Sequence, residues 1–327
     1  MSSLPEADKE IKMTPKNEEM KIFAGTSHPE LANKIVKYLG TDLSKINLSR
    51  FSGGEIYARI LENIRGMSTY VIQTCTQNVN EDLMELFIII DALKRASAKS
   101  ITAVIPHFGY ARQDKKSASR EPISARLVAD LLTTAGINRI ITMDLHSDQI
   151  QGYFNVPVDH LTAMPTLANY LKEKKIKNPI VVAPDTGRAK TAKKMSDRLD
   201  APLAILHKTR PEHQKAEIMH IVGDVKGKSP ILVDDMIDTA GTATRGVESL
   251  RKQGCLDEIY FAATHGIFSG PAIEKMNSAR FAEVVVTDTL PMAGKDIKGL
   301  KLVSVAPLFA EAIKRNYENL SISSLFD

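Results

Sequence analysis

The sequence predicts an α/β protein of two tandem domains, each a mostly parallel sheet flanked by helices. Short, near-continuous apolar runs recur along the 327 residues, among them "MKIFAG", "TYVIQT", "SITAVIPHF", "RIITM", "PIVVAP", "LAILH", "PILVD", "EIYFAATHG" and "AEVVVTD". Runs of that kind suit strands covered on both faces. Stretches with helical periodicity, such as "NEDLMELFIIIDALKRAS" and "GTATRGVESLRKQG", separate most of them. Strands that alternate with helices build parallel sheets. The alternation runs once from Met20 to about Leu145 and again from about Pro179 to Val305, with "NVPVDHLTAMP" between.

Three segments follow. Residues 1–19 carry Glu6, Asp8, Glu10, Glu18 and Glu19 against Lys9, Lys12 and Lys16 with hardly any apolar pattern, and are expected to be a disordered extension. Residues 20–160 form the first domain. Residues 161–327 form the second, with the last residues packing back on the first.

Hydrophobic residues make up 43% of the chain, enough for sizeable cores. A formal charge of +4, from 43 Lys and Arg against 39 Asp and Glu, is too mild to call for a nucleic-acid partner. Cys75 and Cys255 have no metal-ligand spacing and read as reduced structural thiols. No window has the length of a membrane span, and the first residues lack the apolar core of a secretory signal, so the expected location is the cytoplasm.

Taken in order, the strand ends carry the chemistry. "FSGGEIYARI" places Phe51, Gly53, Gly54 and Glu55 before a strand-like segment, in what reads most simply as a glycine turn of a hairpin. "HFGYARQDKK" puts Arg112, Gln113, Lys115 and Lys116 just beyond "SITAVIP", where clustered cations suit a polyphosphate, although a solvated basic loop has the same composition. "MDLHSDQ" sets Asp144 and His146 after "RIIT", a pair too common to indicate a metal by itself. "LAILHKTRPEHQ" ends a strand with Lys208, Thr209, Arg210 and Pro211, a pattern that fits a loop closing over a phosphate or an ordinary exposed loop.

"SPILVDDMIDTAGTATRG" is the most informative stretch. Ile231-Leu232-Val233 reads as a short interior strand ending at Asp234 and Asp235, and Gly241 opens an amphipathic helix. Asp238, Thr239, Ala240, Gly241 and Thr242 then lie at a helix N-terminus, where free backbone N–H groups and the helix dipole attract phosphate. The carboxylates suit sugar hydroxyls, so the stretch reads as a ribose-phosphate cradle.

With "MDLHSDQIQGYF", "YARQDKK" and "HKTRP", this stretch resembles the ribose-phosphate pyrophosphokinase family of the phosphate-activated class, and the resemblance runs from Met20 to Phe326. It implies two phosphoribosyltransferase-like domains. It also implies a reaction of ATP with ribose 5-phosphate, with Mg2+, giving 5-phospho-α-D-ribose 1-diphosphate and AMP. The resemblance assigns Phe51, Gly53, Gly54, Glu55, Arg112, Gln113, Asp114 and His146 to ATP, and His146 and Asp185 of "VVAPDTGRAK" to the metal–ATP complex. It assigns Asp234, Asp235 and residues 238–242 to ribose 5-phosphate, and Lys208 and Arg210 to the catalytic loop. It further implies a homo-oligomer, a hexamer, activated by phosphate and inhibited by ADP. Position 53 departs from the family, which has an acidic or amide residue there. A phosphoribosyltransferase and a non-catalytic regulatory homologue remain alternatives at this stage.

Overall fold

The computed structural model of the chain describes residues 20–209 and 218–325. These divide into two compact units, one of residues 20–162, 289–291 and 304–325 and one of residues 163–288 and 292–303. The expected disordered extension, residues 1–19, lies outside the described residues.

In the first unit the chain runs β1 (Met20–Ala24), α1 (Pro29–Leu39), β2 (Ile46–Arg50), β3 (Ile56–Ile60), β4 (Ser68–Ile72), α2 (Val79–Arg95), β5 (Ser100–Ile105), α3 (Ser124–Ala135), β6 (Arg139–Met143) and β7 (Val158–Leu161). Strands β1-β4-β5-β6-β7 form a sheet in that order, parallel throughout. Val71, Ala103, Ile105 and Ile140 pack on Leu86, Ile90 and Leu93 of α2 and on Val128 and Leu132 of α3, which is why these strands lack alternation. Strands β2 and β3 pair antiparallel as a separate hairpin with alternating exposure, as one-sided ribbons do. Helix α1 begins with Pro29, whose missing N–H costs nothing there. It ends at Gly40, whose left-handed conformation lets its N–H return to the Lys37 and Val36 carbonyls.

The second unit continues with α4 (Met164–Glu173), β8 (Pro179–Ala183), α5 (Ala189–Leu199), β9 (Leu203–Thr209), β10 (Ile218–Val222), β11 (Ser229–Ile237), α6 (Gly241–Lys252), β12 (Tyr260–Gly266), α7 (Ala272–Ala279), β13 (Glu283–Thr287) and β14 (Leu300–Val303). Its sheet has the order β10-β9-β8-β11-β12-β13-β14, and only β10 runs antiparallel. From β8 the chain fills one side of the sheet, and from β11 the other. Strands β8 and β11 therefore flank the point where the order reverses, the place in such sheets where a crevice opens beyond the carboxyl ends.

Strand β11 corrects the sequence reading. Val233 was expected to end it, with Asp234 and Asp235 beyond. The strand instead runs to Ile237, because pairing with β12 continues to Ile237 opposite Gly266, while pairing with β8 stops at Leu232 opposite Val182. Asp234 and Asp235 thus sit inside a strand that has lost one neighbour. Strand β9 likewise extends through Lys208 and Thr209, both expected in a loop.

After β14 the chain returns to the first unit with α8 (Ala306–Tyr317), which packs on α1. Tyr70 of β4 donates to the Asn316 side chain at 2.7 Å. Among the described residues no helix is long and apolar enough to cross a membrane.

Phe309 of α8 is fully buried. Phe309→Ala is expected to destabilise the protein by about 3–5 kcal/mol through lost contacts and the cavity left behind. Leu320→Ala, at an exposed side chain, should stay within about 0.5 kcal/mol. Urea-unfolding midpoints of the two variants check both.

Candidate functional site

In the second unit the site is built at the reversal point. Beyond β8, Asp185 caps a tight turn of residues 186–188, its Oδ1 accepting the Arg188 backbone N–H at 3.1 Å. The Arg188 side chain then crosses to β11, with Nε 3.2 Å from Asp234 Oδ1 and Nη2 2.8 Å from Asp235 Oδ2. Successive residues of a strand face opposite sides of the sheet, so one group reaches both only from the sheet edge. Arg188 occupies that edge, where β8 no longer pairs. Two adjacent carboxylates with their exposure largely lost repel one another. Burial first, then the charge of Asp235, pushes the Asp234 carboxyl well above the usual carboxylate range, while Arg188 pulls it back.

Past β11 the loop turns at Ala240, which adopts the left-handed conformation with φ 59° and precedes α6 without a side-chain cap. The first-turn N–H groups of α6 therefore depend on other acceptors, the arrangement that favours an anion. Asp238 is fixed from β12: Ser269 Oγ donates to its carboxylate, and the Ser269 N–H donates to its carbonyl at 3.1 Å. Cations crowd the same end. A side chain on Gly241 would begin 3.7 Å from Lys275 Nζ and 3.9 Å from Arg245 Nη1. Lys295 Nζ lies 5.6 Å from the Phe268 ring centre and donates to the Ile267 carbonyl. Burial pulls its ammonium below the ordinary lysine range, and Asp238 opposes that.

Lys208 lies in β9, paired with β10 through Met219, and Arg210 lies outside the described residues. Of the two residues expected on a catalytic loop, Lys208 is therefore placed by strand position alone.

The first unit carries the remaining candidates on its own strand ends. After β5 the chain turns through Tyr110 (φ 62°) to exposed Arg112 and Gln113 and half-buried Asp114. Gln113 is tied to α3, accepting from Ser124 Oγ through its side chain and from the Ala125 N–H through its carbonyl. Tyr153 donates to the Asp114 carbonyl. After β6, Asp144 takes φ 37°, and the next N–H, of Leu145, donates to His160 Nε2 at 2.8 Å. His146 follows at once, half-buried. Phe51, Gly53, Gly54 and Glu55 form the exposed tip of the β2–β3 hairpin, where Phe51 packs edge-on against Tyr57 at 5.6 Å. The turn needs glycine at Gly54, with φ 93°, and not at Gly53, where a side chain would meet nothing within 4 Å.

Residues 20–136 match the N-terminal domain of ribose phosphate pyrophosphokinase, and residues 210–327 match the phosphoribosyl synthetase-associated domain. A ribose-phosphate pyrophosphokinase of Caldanaerobacter subterraneus subsp. tengcongensis is 54% identical over 309 residues, covering 94% of this chain and 98% of that one. One of Bacillus caldolyticus is 51% identical over 310 residues, covering 94% and 98%. The chain belongs to the ribose-phosphate pyrophosphokinase family. The crystal structure of phosphoribosylpyrophosphate synthetase from Mycobacterium smegmatis superposes with a TM-score of 0.87 at 47% identity, over 92% of this chain and 99% of that one.

Motif reading in this family passes over Arg188, His160, Lys275 and Lys295. Arg188 stood in the quoted "VVAPDTGRAK", but nothing in its spacing shows that it reaches β11. His160 sits in "NVPVDHLTAMP", read only as a boundary. Among the described residues no group of three or more His, Cys, Asp or Glu could hold a metal ion.

His160 also sets a pH dependence. Burial lowers its pKa from the ordinary 6.5, against the opposing charges of Asp144 and Asp148, and its Nε2 must stay unprotonated to accept from Leu145. Between the folded pKa and 6.5 the unfolded chain holds the proton and the folded chain does not, so stability rises with pH across that window and is lost as pH falls through it. Gln at this position keeps an acceptor but does not titrate. The fall in melting temperature from about pH 7.5 to about pH 5.5 should be smaller in His160→Gln than in the parent. Equal falls would show that His160 does not drive it.

Proposed function

We propose that the chain transfers the diphosphoryl group of ATP to the 1-hydroxyl of ribose 5-phosphate, giving 5-phospho-α-D-ribose 1-diphosphate and AMP. Family membership supports the reaction. The observation that carries it at residue level is the pair Asp234–Asp235 followed by an uncapped helix N-terminus at the reversal point of the second sheet.

The roles follow from chemistry. Asp238, Thr239, Ala240, Gly241 and Thr242 anchor the 5-phosphate through backbone N–H groups and hydroxyls, with Lys275 and Arg245 nearby. Asp234 and Asp235 accept from ribose hydroxyls. Arg112, Gln113, Asp114 and His146 hold ATP, and Phe51 with Gly53, Gly54 and Glu55 takes the adenine. The ribose 1-oxygen attacks the β-phosphorus as the 1-hydroxyl passes its proton to a general base. The bond from that phosphorus to the α,β-bridging oxygen breaks, and its electron pair leaves with AMP. Lys208 and Arg210 stabilise the charge that develops on the transferred oxygens.

Magnesium takes hard oxygen donors and is commonly bound by one or two carboxylates plus substrate phosphates. Asp185 fits that chemistry: its carboxylate is held in place by the Arg188 N–H at a strand end, and the nitrogen of His146 suits phosphate better. Bound there, Mg2+ would neutralise phosphate charge and align the polyphosphate. The tail "SISSLFD" and the loop "KKSASR" resemble family segments that meet between subunits around an anion site, which supports extending the proposal to a homo-hexamer activated by phosphate and inhibited by ADP, and the proposed location is the cytoplasm.

The test is direct. ATP, ribose 5-phosphate and Mg2+ should yield AMP and phosphoribosyl diphosphate in equal amounts, and a preparation that forms no AMP would defeat the proposal in favour of a phosphoribosyltransferase or a non-catalytic homologue. Lys208→Ala or Arg210→Ala should lower kcat on the order of a hundredfold or more with little change in the KM for ribose 5-phosphate. Asp238→Ala and Thr242→Val should do the reverse, chiefly raising that KM. Unchanged KM in both would remove the loop from the cradle.

A further inference from the structure

Arg188 joins three carboxylates of the site. Its backbone N–H donates to the Asp185 carboxylate at 3.1 Å, and its side chain meets Asp234 at 3.2 Å and Asp235 at 2.8 Å. The side chain is only 17% exposed, so these contacts are held away from bulk water. We propose that Arg188 is a positioning residue for the ribose 5-phosphate site, holding Asp234 and Asp235 as oriented acceptors and tying them to the turn that presents Asp185. The proposal rests on reading residues 234–242 as the ribose-phosphate cradle.

The geometry explains why a guanidinium is needed. An ionised carboxylate offers both oxygens as acceptors to sugar hydroxyls, and two neighbouring acids resist being ionised together. One cation between them opposes that conflict. A planar fork also fixes direction, because its donors diverge at set angles and cannot swivel as an ammonium can. Nε and the Asp235 N–H, at 2.9 Å, both load Oδ1 of Asp234, and Nη2 loads Oδ2 of Asp235. Because β8 stops pairing with β11 at Val182, it does not supply this support, and the turn after β8 supplies it through Arg188.

The experiment is steady-state kinetics of the intact enzyme with ATP, ribose 5-phosphate and Mg2+. The variants are Arg188→Ala, Arg188→Lys, Asp235→Asn and Arg188→Ala with Asp235→Asn. Loss of a charge-assisted contact to a substrate-holding acid predicts a rise of about tenfold or more in the KM for ribose 5-phosphate in Arg188→Ala, with the KM for ATP within about twofold. Arg188→Lys should recover part of the loss, since it restores charge without the fork. In the double variant, Arg188→Ala should add about twofold or less to the effect of Asp235→Asn.

An unchanged KM for ribose 5-phosphate in Arg188→Ala overturns the proposal. So does a parallel rise in both KM values, which marks a general structural loss, or full multiplication of the two effects in the double variant. If Arg188→Ala does not fold, Arg188→Lys decides: a rise confined to ribose 5-phosphate supports the role, and no rise overturns it. Asp235→Asn separates the two levels. If it alone leaves the KM for ribose 5-phosphate unchanged, the cradle reading fails and this role fails with it. If it raises that KM while Arg188→Ala does not, only the role of Arg188 is lost.

Discussion

The second unit is organised around the cost of placing Asp234 and Asp235 side by side where water is scarce. Two adjacent carboxylates at 22% and 7% side-chain exposure are unfavourable unless a cation compensates them. That compensation has to come from the sheet edge, which requires β8 to end early and β11 to continue. The reversal of strand order at β8 and β11 allows both, because each strand leads its own half of the sheet. The crevice, the acid pair and Arg188 are consequences of one topological feature.

The same logic explains why the cradle is assembled from three strand ends. A parallel strand delivers its chain to the carboxyl rim and leaves there by a loop into a helix, so neighbouring strands bring their loops together without a dedicated scaffold. Strand β8 contributes Asp185 and Arg188, β11 contributes the acids and the loop into α6, and β12 contributes Ser269, which clamps Asp238 twice. In the first unit the same principle gathers Arg112 and Gln113 after β5 and His146 after β6, with His160 of β7 supporting the latter loop through one backbone contact.

What the sequence made legible was what repeats or clusters locally. Apolar runs such as Ile231–Val233 and Val284–Val286 announced parallel strands, and the change from acids to small residues at Asp238–Gly241 announced a helix N-terminus. The length of β11 was not legible, since Asp234 and Asp235 break the apolar run and only the continued pairing with β12 keeps them in the strand. Arg188 was not legible because the partners of its side chain lie more than forty residues away. A lone arginine near a turn has the same local signature whether it points to solvent or into an acid pair.

Backbone strain was the other hidden signal. Tyr110, Asp144, Ala240 and Phe268 all adopt positive φ, and each follows the carboxyl end of a strand: β5, β6, β11 and β12 in turn. Glycine would mark such positions openly, but these are side-chain-bearing residues for which the left-handed region costs about 1 kcal/mol or more each. At Ala240 the turn starts α6 without a side-chain cap, so no side chain of the N-cap residue takes up its first N–H groups. At Asp144 the turn directs the Leu145 N–H to His160, so that the following residue, His146, is presented from a fixed backbone. The strain sits where loops must aim groups beyond the sheet, and the surrounding pairing, Asp144 N–H to the Leu161 carbonyl and Thr244 N–H to the Ala240 carbonyl, holds Asp144 and Ala240 in place. Local rigidity of this kind lets a site be preorganised without a longer loop. It is bought by contacts that the linear sequence does not display.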